Sequence, residues 1–110
     1  MFGLIGRMRT HPGKREELIA ILLAGTGAMP GCLSYVIARD TGDADALWVT
    51  EVWADEAAHQ ASLALPQVRA AIAAGRPLIA GFDSQVRTGP VGGVGLPDVP
   101  SGRKGPSAAP

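Results

Sequence analysis

The residues best suited to chemistry lie between positions 35 and 62. Glu51 and Trp53 stand two residues apart at the end of an alternating apolar run, and His59 and Ser62 follow in a stretch with helical character. Histidine side chains in general titrate at about pH 6.5, so His59 is a candidate proton acceptor. Trp53 offers a flat wall and an indole N–H, and Tyr35 offers a hydroxyl. This set predicts a site that takes an aromatic ligand.

Each of these residues also has a structural interpretation. Trp53 can be a core residue with one hydrogen bond, Tyr35 a strand aromatic with a wet tip, and His59 a polar helix residue. Ser62 can serve helix packing rather than substrate binding. These alternatives stay open at the level of sequence.

Glu51 shares strand parity with Trp53, and a carboxylate in the middle of a sheet is unfavourable unless it is paired. Arg7 and Arg39 are the expected partners, because both lie on strands expected beside that of Glu51. A structural ion pair is therefore the main alternative to a catalytic base. Trp48 differs from Trp53 in parity, so the two indoles should face opposite sides of the sheet.

Capping residues, prolines and glycines in the sequence predict the helices and strands that position these residues. Asp55 is a candidate N-cap, Pro66 suits a first helical position, and Gly75 closes the helix that Pro66 opens. Pro30-Gly31 ends an earlier helix. The pattern predicts strands over 2–9, 32–39, 46–53 and 78–86, and helices over 14–29, 56–64 and 66–75.

The resulting order, βαββααβ, predicts a ferredoxin-like α+β fold with the helices on one face of an antiparallel sheet. The other face needs a cover, and a second copy of the chain is the simplest one, so a homodimer is expected. The folded domain should span residues 1–88. Residues 89–110 include 11 glycines and prolines and predict an extended tail.

Composition excludes several classes of protein. With 110 residues and a formal net charge of zero, the chain is expected to be one domain that binds no nucleic acid and no membrane. No apolar run reaches the roughly 18 residues of a membrane span. The single Cys32 and two distant histidines predict a reducing, cytoplasmic setting and no metal site.

Five short motifs, taken together in their order, resemble the antibiotic biosynthesis monooxygenase (ABM) domain family. The resemblance covers about residues 1–88. The motifs are His11-Pro12-Gly13-Lys14, Pro30-Gly31-Cys32-Leu33-Ser34-Tyr35, Glu51-Val52-Trp53, Leu65-Pro66-Gln67-Val68 and Pro77-Leu78-Ile79.

The resemblance implies a dimeric α/β-barrel and a monooxygenase that oxidises an aromatic quinol or anthrone with O2, without metal, flavin or nicotinamide. Such a site must favour the deprotonated substrate, whose anion can pass an electron to O2. Many members carry a helix histidine where Ser62 stands here, and His59 lies one turn earlier. The alternatives on this fold are a non-catalytic ligand-binding protein, an isomerase or a haem-degrading enzyme. The expected catalytic residues are His59, Trp53 and Tyr35, and the expected substrate-binding residues are Ser62, Phe82, Arg7 and Glu51.

Overall fold

The structure is a computed structural model that describes residues 1–97. Its elements follow the predicted order, with a 3-10 turn at Arg76–Leu78 before the last strand. The strands are β1 (Phe2–Thr10), β2 (Cys32–Arg39), β3 (Ala46–Trp53) and β4 (Ile79–Thr88), and the helices are α1 (Arg15–Gly25), α2 (Glu56–Ser62) and α3 (Pro66–Gly75).

Local signals explain most of the helix ends. The Asp55 side chain accepts a hydrogen bond from the backbone N–H of Ala58, which confirms the predicted N-cap of α2. Pro66 occupies the start of α3, as expected. The predicted end of α1 was wrong by four residues and its start by one, because the helix runs from Arg15 to Gly25 and the Thr26 hydroxyl donates to the carbonyl of Leu22.

The four strands form one antiparallel sheet in the order β2-β3-β1-β4. This confirms the α+β ferredoxin-like fold. Strand alternation gives the sheet two faces. We call the side covered by the helices the helix face and the other side the open face. Leu47, Val49 and Trp53 are buried on the helix face, whereas Trp48 points to the open face, so the predicted opposition of the two indoles is confirmed.

The pairing of β4 with β1 is irregular. Arg7 pairs with Ser84 and Met8 with Phe82, so Asp83 is an extra residue on β4, and a second shift follows between Arg9 and Thr10. Such a bulge reverses the side on which the following residues point. Phe82 therefore lies on the helix face, while Asp83 reaches the arginines of the open face.

The core lies between the sheet and α1. Leu18 from that helix and Leu47 and Val49 from β3 are almost fully buried. The last helical residue of α1, Gly25, meets α3: a Cβ at this position would stand 2.5 Å from the Cβ of Ala71. The absence of a side chain at Gly25 thus lets two helices of the covering layer approach closely.

Beyond β4, residues 89–97 contain no helix or strand, and the side chains of Val91 and Val94 are exposed. Pro90 packs beside Gly3, at the start of β1. The rest of the predicted tail, residues 98–110, lies outside the described residues. Within the described part of the chain, no helix has the length and apolar character to cross a membrane.

Candidate active site

Three adjoining cavities lie between the sheet and the helix layer, and we call them together the cleft. Its inner part is a cavity of about 120 Å³ beneath α2, its middle part about 170 Å³ over β1 and β3, and its outer part about 430 Å³ between α1, α3 and β4. Tyr35 and Glu51 line both the inner and the middle part, and Met8 and Phe82 line both the middle and the outer part. The lining is mainly apolar; Glu51 and His59 line the inner part, Arg7 borders the middle part and Arg76 the outer part.

Glu51, Trp53 and His59 meet at that inner end. The Trp53 indole Nε1 donates to Glu51 Oε1 at 2.9 Å. His59 Nε2 lies 3.9 Å from the same carboxylate oxygen, and both side chains are more than four-fifths buried. The Trp53 ring meets the His59 ring edge-on at 5.4 Å. The structure therefore brings together a carboxylate, an imidazole and an indole that the sequence had marked separately.

Burial dominates the electrostatics of Glu51. Removal from water raises the pKa of its carboxyl, while the Trp53 hydrogen bond and the nearby His59 oppose the rise. The expected arginine partners were wrong. Arg7 lies on the open face, where it pairs with Asp40, Asp43 and Asp83. A carboxylate without a guanidinium partner is better suited to exchange a proton than one held in an ion pair.

Arg39, the other expected partner of Glu51, pairs instead with Glu16 at the start of α1. Arg39 Nε and Nη2 donate to the two carboxylate oxygens of Glu16 at 2.9 and 2.5 Å. The guanidinium that could have neutralised Glu51 is therefore bound at the rim of the domain.

Tyr35 lies beside Glu51 on β2, since the two residues are register partners across β2 and β3. Its pKa is raised, chiefly by burial and further by the charge of Glu51. The phenol therefore stays protonated at physiological pH and keeps a proton that it can donate in a hydrogen bond. This suits a residue that holds a substrate oxygen.

His59 lies beside two aromatic rings, and one of its ring nitrogens has no hydrogen-bond partner within residues 1–97. The centroid of the Phe2 ring lies 5.5 Å from that of the imidazole. His59 Nδ1 is buried and has no hydrogen-bond partner among the described residues. Ser62, one turn later, is buried and donates its hydroxyl to the backbone carbonyl of His59 at 2.7 Å. The Ser62 hydroxyl thus satisfies the helix backbone, although the residue lines the inner cavity.

The two remaining predicted substrate-binding residues, Phe82 and Arg7, lie apart from each other. Phe82 lines the outer and middle parts of the cleft and is 73% exposed there. The charged end of Arg7 lies on the open face, away from the Glu51–His59 pair. Sequence reasoning missed Phe2, whose proximity to Trp53 follows from the β1–β3 register, and Arg76 at the outer end. A register cannot be read from one strand alone.

Within residues 1–97, no three His, Cys, Asp or Glu side chains lie together in a way that could hold a metal ion. What the cleft offers is a buried acid–base pair, a phenol donor and apolar walls.

Family comparison agrees with this architecture. Residues 1–74 match the model of the family described as Antibiotic biosynthesis monooxygenase. Among proteins of curated function, none matches the chain.

Solved structures give the same fold. A protein from Chloroflexus aurantiacus J-10-fl, assigned provisionally as an antibiotic biosynthesis monooxygenase, is 58% identical, with a TM-score of 0.85 over 87% of this chain and 98% of that one. A provisionally assigned monooxygenase from Deinococcus radiodurans is 24% identical, with a TM-score of 0.70 over 86% and 96%. One from Nitrosomonas europaea is 14% identical, with a TM-score of 0.75 over 83% and 99%. The last two likenesses concern the fold alone.

Proposed function

Because the chain belongs to the antibiotic biosynthesis monooxygenase family, we propose that it is a cofactor-independent monooxygenase acting on an aromatic quinol or anthrone. The observation that carries the proposal is the Glu51–His59 pair at the inner end of an apolar cleft. A flat, electron-rich ring fits apolar walls, and its acidic proton needs a base in a dry site.

The first step is proton removal from the substrate. Glu51 and His59 share the role of base: the carboxylate with the raised pKa takes the proton directly or through the imidazole 3.9 Å away. The Trp53 N–H keeps the carboxylate oriented. The protonated Tyr35 hydroxyl donates to the substrate oxygen on which negative charge develops.

The substrate anion then supplies the electrons for oxygen chemistry. One electron passes to O2, and the substrate radical and superoxide combine to form a C–O bond and a peroxide. Loss of water breaks the O–O bond and leaves a carbonyl. An anthrone CH2 and one O2 thus give a quinone C=O and one H2O, so no external reductant is needed. The protein's share is deprotonation, positioning and exclusion of water.

A homodimer is part of the proposal. The open face carries half-exposed Val36 and Val86, which a second copy of the sheet would cover. The free thiol of Cys32 supports a reducing, cytoplasmic setting. Light scattering tests the dimer: a lysine at each valine should shift the mass to that of one chain, whereas an unchanged mass contradicts an interface at this face.

Oxygen consumption with reduced aromatics tests the activity. The purified protein is mixed with anthrone and naphthohydroquinone, and O2 uptake is followed with an electrode while quinone formation is followed by absorbance. The proposal expects one quinone per O2 for anthrone and a rate well above that in buffer. A matched control is Glu56→Gln, which changes an exposed glutamate bound to Arg87 on the rim.

Binding without turnover would identify the alternative function. If anthraquinone, the oxidised product, binds to the protein while no reduced aromatic consumes O2, the chain is a ligand-binding member of the family and the proposed reaction is wrong.

A further inference from the structure

The outer part of the cleft is apolar except at its mouth. The cavity of about 430 Å³ falls within the roughly 300–1,000 Å³ that is typical of small-molecule sites. Its one charged lining residue is Arg76, at the end of α3. Arg76 also borders a shallow surface depression together with Arg69 and Ile72. The outer cavity and the depression therefore share Ile72 and Arg76 as a common border, and two cations lie at that border.

These two arginines differ from the others in the described part of the chain. Five of the seven arginines within residues 1–97 form ion pairs with carboxylates, namely Arg7, Arg9, Arg15, Arg39 and Arg87. Arg69 and Arg76 form none with any residue in that range. They stand seven residues apart, which places both on one side of α3 with Ile72 between them. The positive charge at the mouth is thus left available to an anion.

Helix geometry sets the distance between the two ends of the cleft. Val68 lines the inner cavity and Arg76 lines the outer one. Eight residues of helix separate them, which is about 12 Å along the axis of α3. A molecule of two or three fused rings covers such a distance with a substituent at one end.

We propose that the ligand of this cleft is an aromatic acid with two polar ends. An ionisable hydroxyl or activated CH2 lies at Glu51 and His59, the rings lie against the apolar walls, and a carboxylate or sulfonate lies at Arg76 with Arg69 beside it. This assignment of the ligand class rests on the proposed function for the identity of the reacting end. The anionic end is argued independently, from the two arginines.

Equilibrium binding of redox-inert probes tests the anionic end. The probes are anthraquinone-2-carboxylate and its primary amide, which differ in charge and hardly in shape. Binding is followed by quenching of tryptophan fluorescence, since Trp53 lines the cleft. We expect the carboxylate to bind about fivefold more tightly than the amide, the effect of an exposed charge pair. High salt should reduce that preference.

Substitution of Arg76 by Gln should abolish the preference while leaving the Kd of the amide unchanged, and Arg69→Gln should reduce it by less. Arg39→Gln is the matched control, because that exposed arginine pairs with Glu16 away from the cavity. Melting temperatures establish that each variant is folded. Equal Kd values for the two probes in the unaltered protein, or no binding of either, overturn the inference.

The corresponding reduced probes separate this inference from the proposed reaction. If the Arg76-dependent preference is found while anthrone-2-carboxylate and its amide consume no O2, the ligand class stands and the monooxygenase proposal fails. If both reduced probes are oxidised with the same kcat/KM by the unaltered protein and by Arg76→Gln, the reaction stands and the anionic end is wrong.

Discussion

Each face of the sheet carries one tryptophan whose indole N–H binds one carboxylate. On the open face Trp48 donates to Asp40, and on the helix face Trp53 donates to Glu51, each at 2.9 Å. Asp40 also accepts from the backbone N–H of Gly42 and from Arg7, and these donors lower the pKa of its carboxyl to about 2. Within residues 1–97 the Glu51 carboxylate accepts no further hydrogen bond, and burial raises its pKa.

The contrast shows that the surroundings of a carboxylate, rather than its residue type or its indole partner, determine its role. Three donors, one of them the guanidinium of Arg7, favour the charged form of Asp40, which makes it a structural anchor. One donor and the nearby His59 do not offset the effect of burial on Glu51, so its pKa is raised, which makes its carboxylate better suited to take up a proton. Breaking either arrangement should therefore affect a different property of the protein.

The largest effect is expected on turnover, from Glu51→Gln. Glutamine keeps an oxygen to accept the Trp53 N–H but cannot take a proton, so kcat/KM for anthrone oxidation should fall by roughly 100-fold or more. Steady-state O2 uptake measures the loss, with Glu56→Gln as the control. If the rate falls by less than a factor of about ten, Glu51 is not the base.

The next effect concerns the helix layer that keeps the helix face dry. In Gly25→Ala the new methyl would lie 2.5 Å from the Cβ of Ala71, so α1 and α3 must separate. The free energy of unfolding should fall by about 1–3 kcal/mol, as in other overpacked contacts. Urea denaturation measures the change. Gly27→Ala is the control, because its added Cβ meets open space, and equal losses in both variants would contradict a close contact between the helices.

On the open face, Asp40→Asn should lower the melting temperature and leave kcat/KM unchanged. The substitution weakens the bond to Arg7 while the Glu51–His59 pair stays intact. Calorimetry and O2 uptake on the same samples separate the two properties. Glu17→Gln makes the same charge change at an exposed site. A loss of turnover in Asp40→Asn at full stability would show that the faces are not independent.

The smallest effect is a pair of opposite pH dependences. Because its pKa is raised, the charged form of Glu51 is unfavourable in the folded protein, and the contribution of Glu51 to the free energy of unfolding falls as pH rises above 4.5. The stability of Glu51→Gln relative to the unaltered protein should therefore increase over the same pH range. With a lowered pKa, Asp40 stabilises above pH 3.8 and loses its contribution as pH falls toward about 2. Urea denaturation from acid to neutral pH measures both differences. Slopes of the same sign would contradict the comparison.

Local signals predicted the fold well, and the site in part. β2 and β3 have the predicted bounds because each lies between turn residues, and the cap at Asp55 needs only its own neighbours. The arginine partners of Glu51 were wrong because the partner depends on the register between strands. Leu4, not Arg7, stands opposite Glu51. The extra residue at Asp83 likewise leaves no mark in the local pattern, since it exists only relative to β1.

That extra residue also determines how β4 can change over evolution. Because the alternation reverses at Asp83, the segment before it contributes Phe82 to the cleft wall and the segment after it contributes Val86 to the open face. Substitutions before the bulge can thus alter ligand preference while those after it alter the surface presented to a second copy. Deletion of Asp83 would make the register continuous, with Phe82 still opposite Met8 and Val86 still opposite Ile5, so both side chains would keep their faces. What the deletion would remove is the carboxylate that binds Arg7 and Arg9 on the open face.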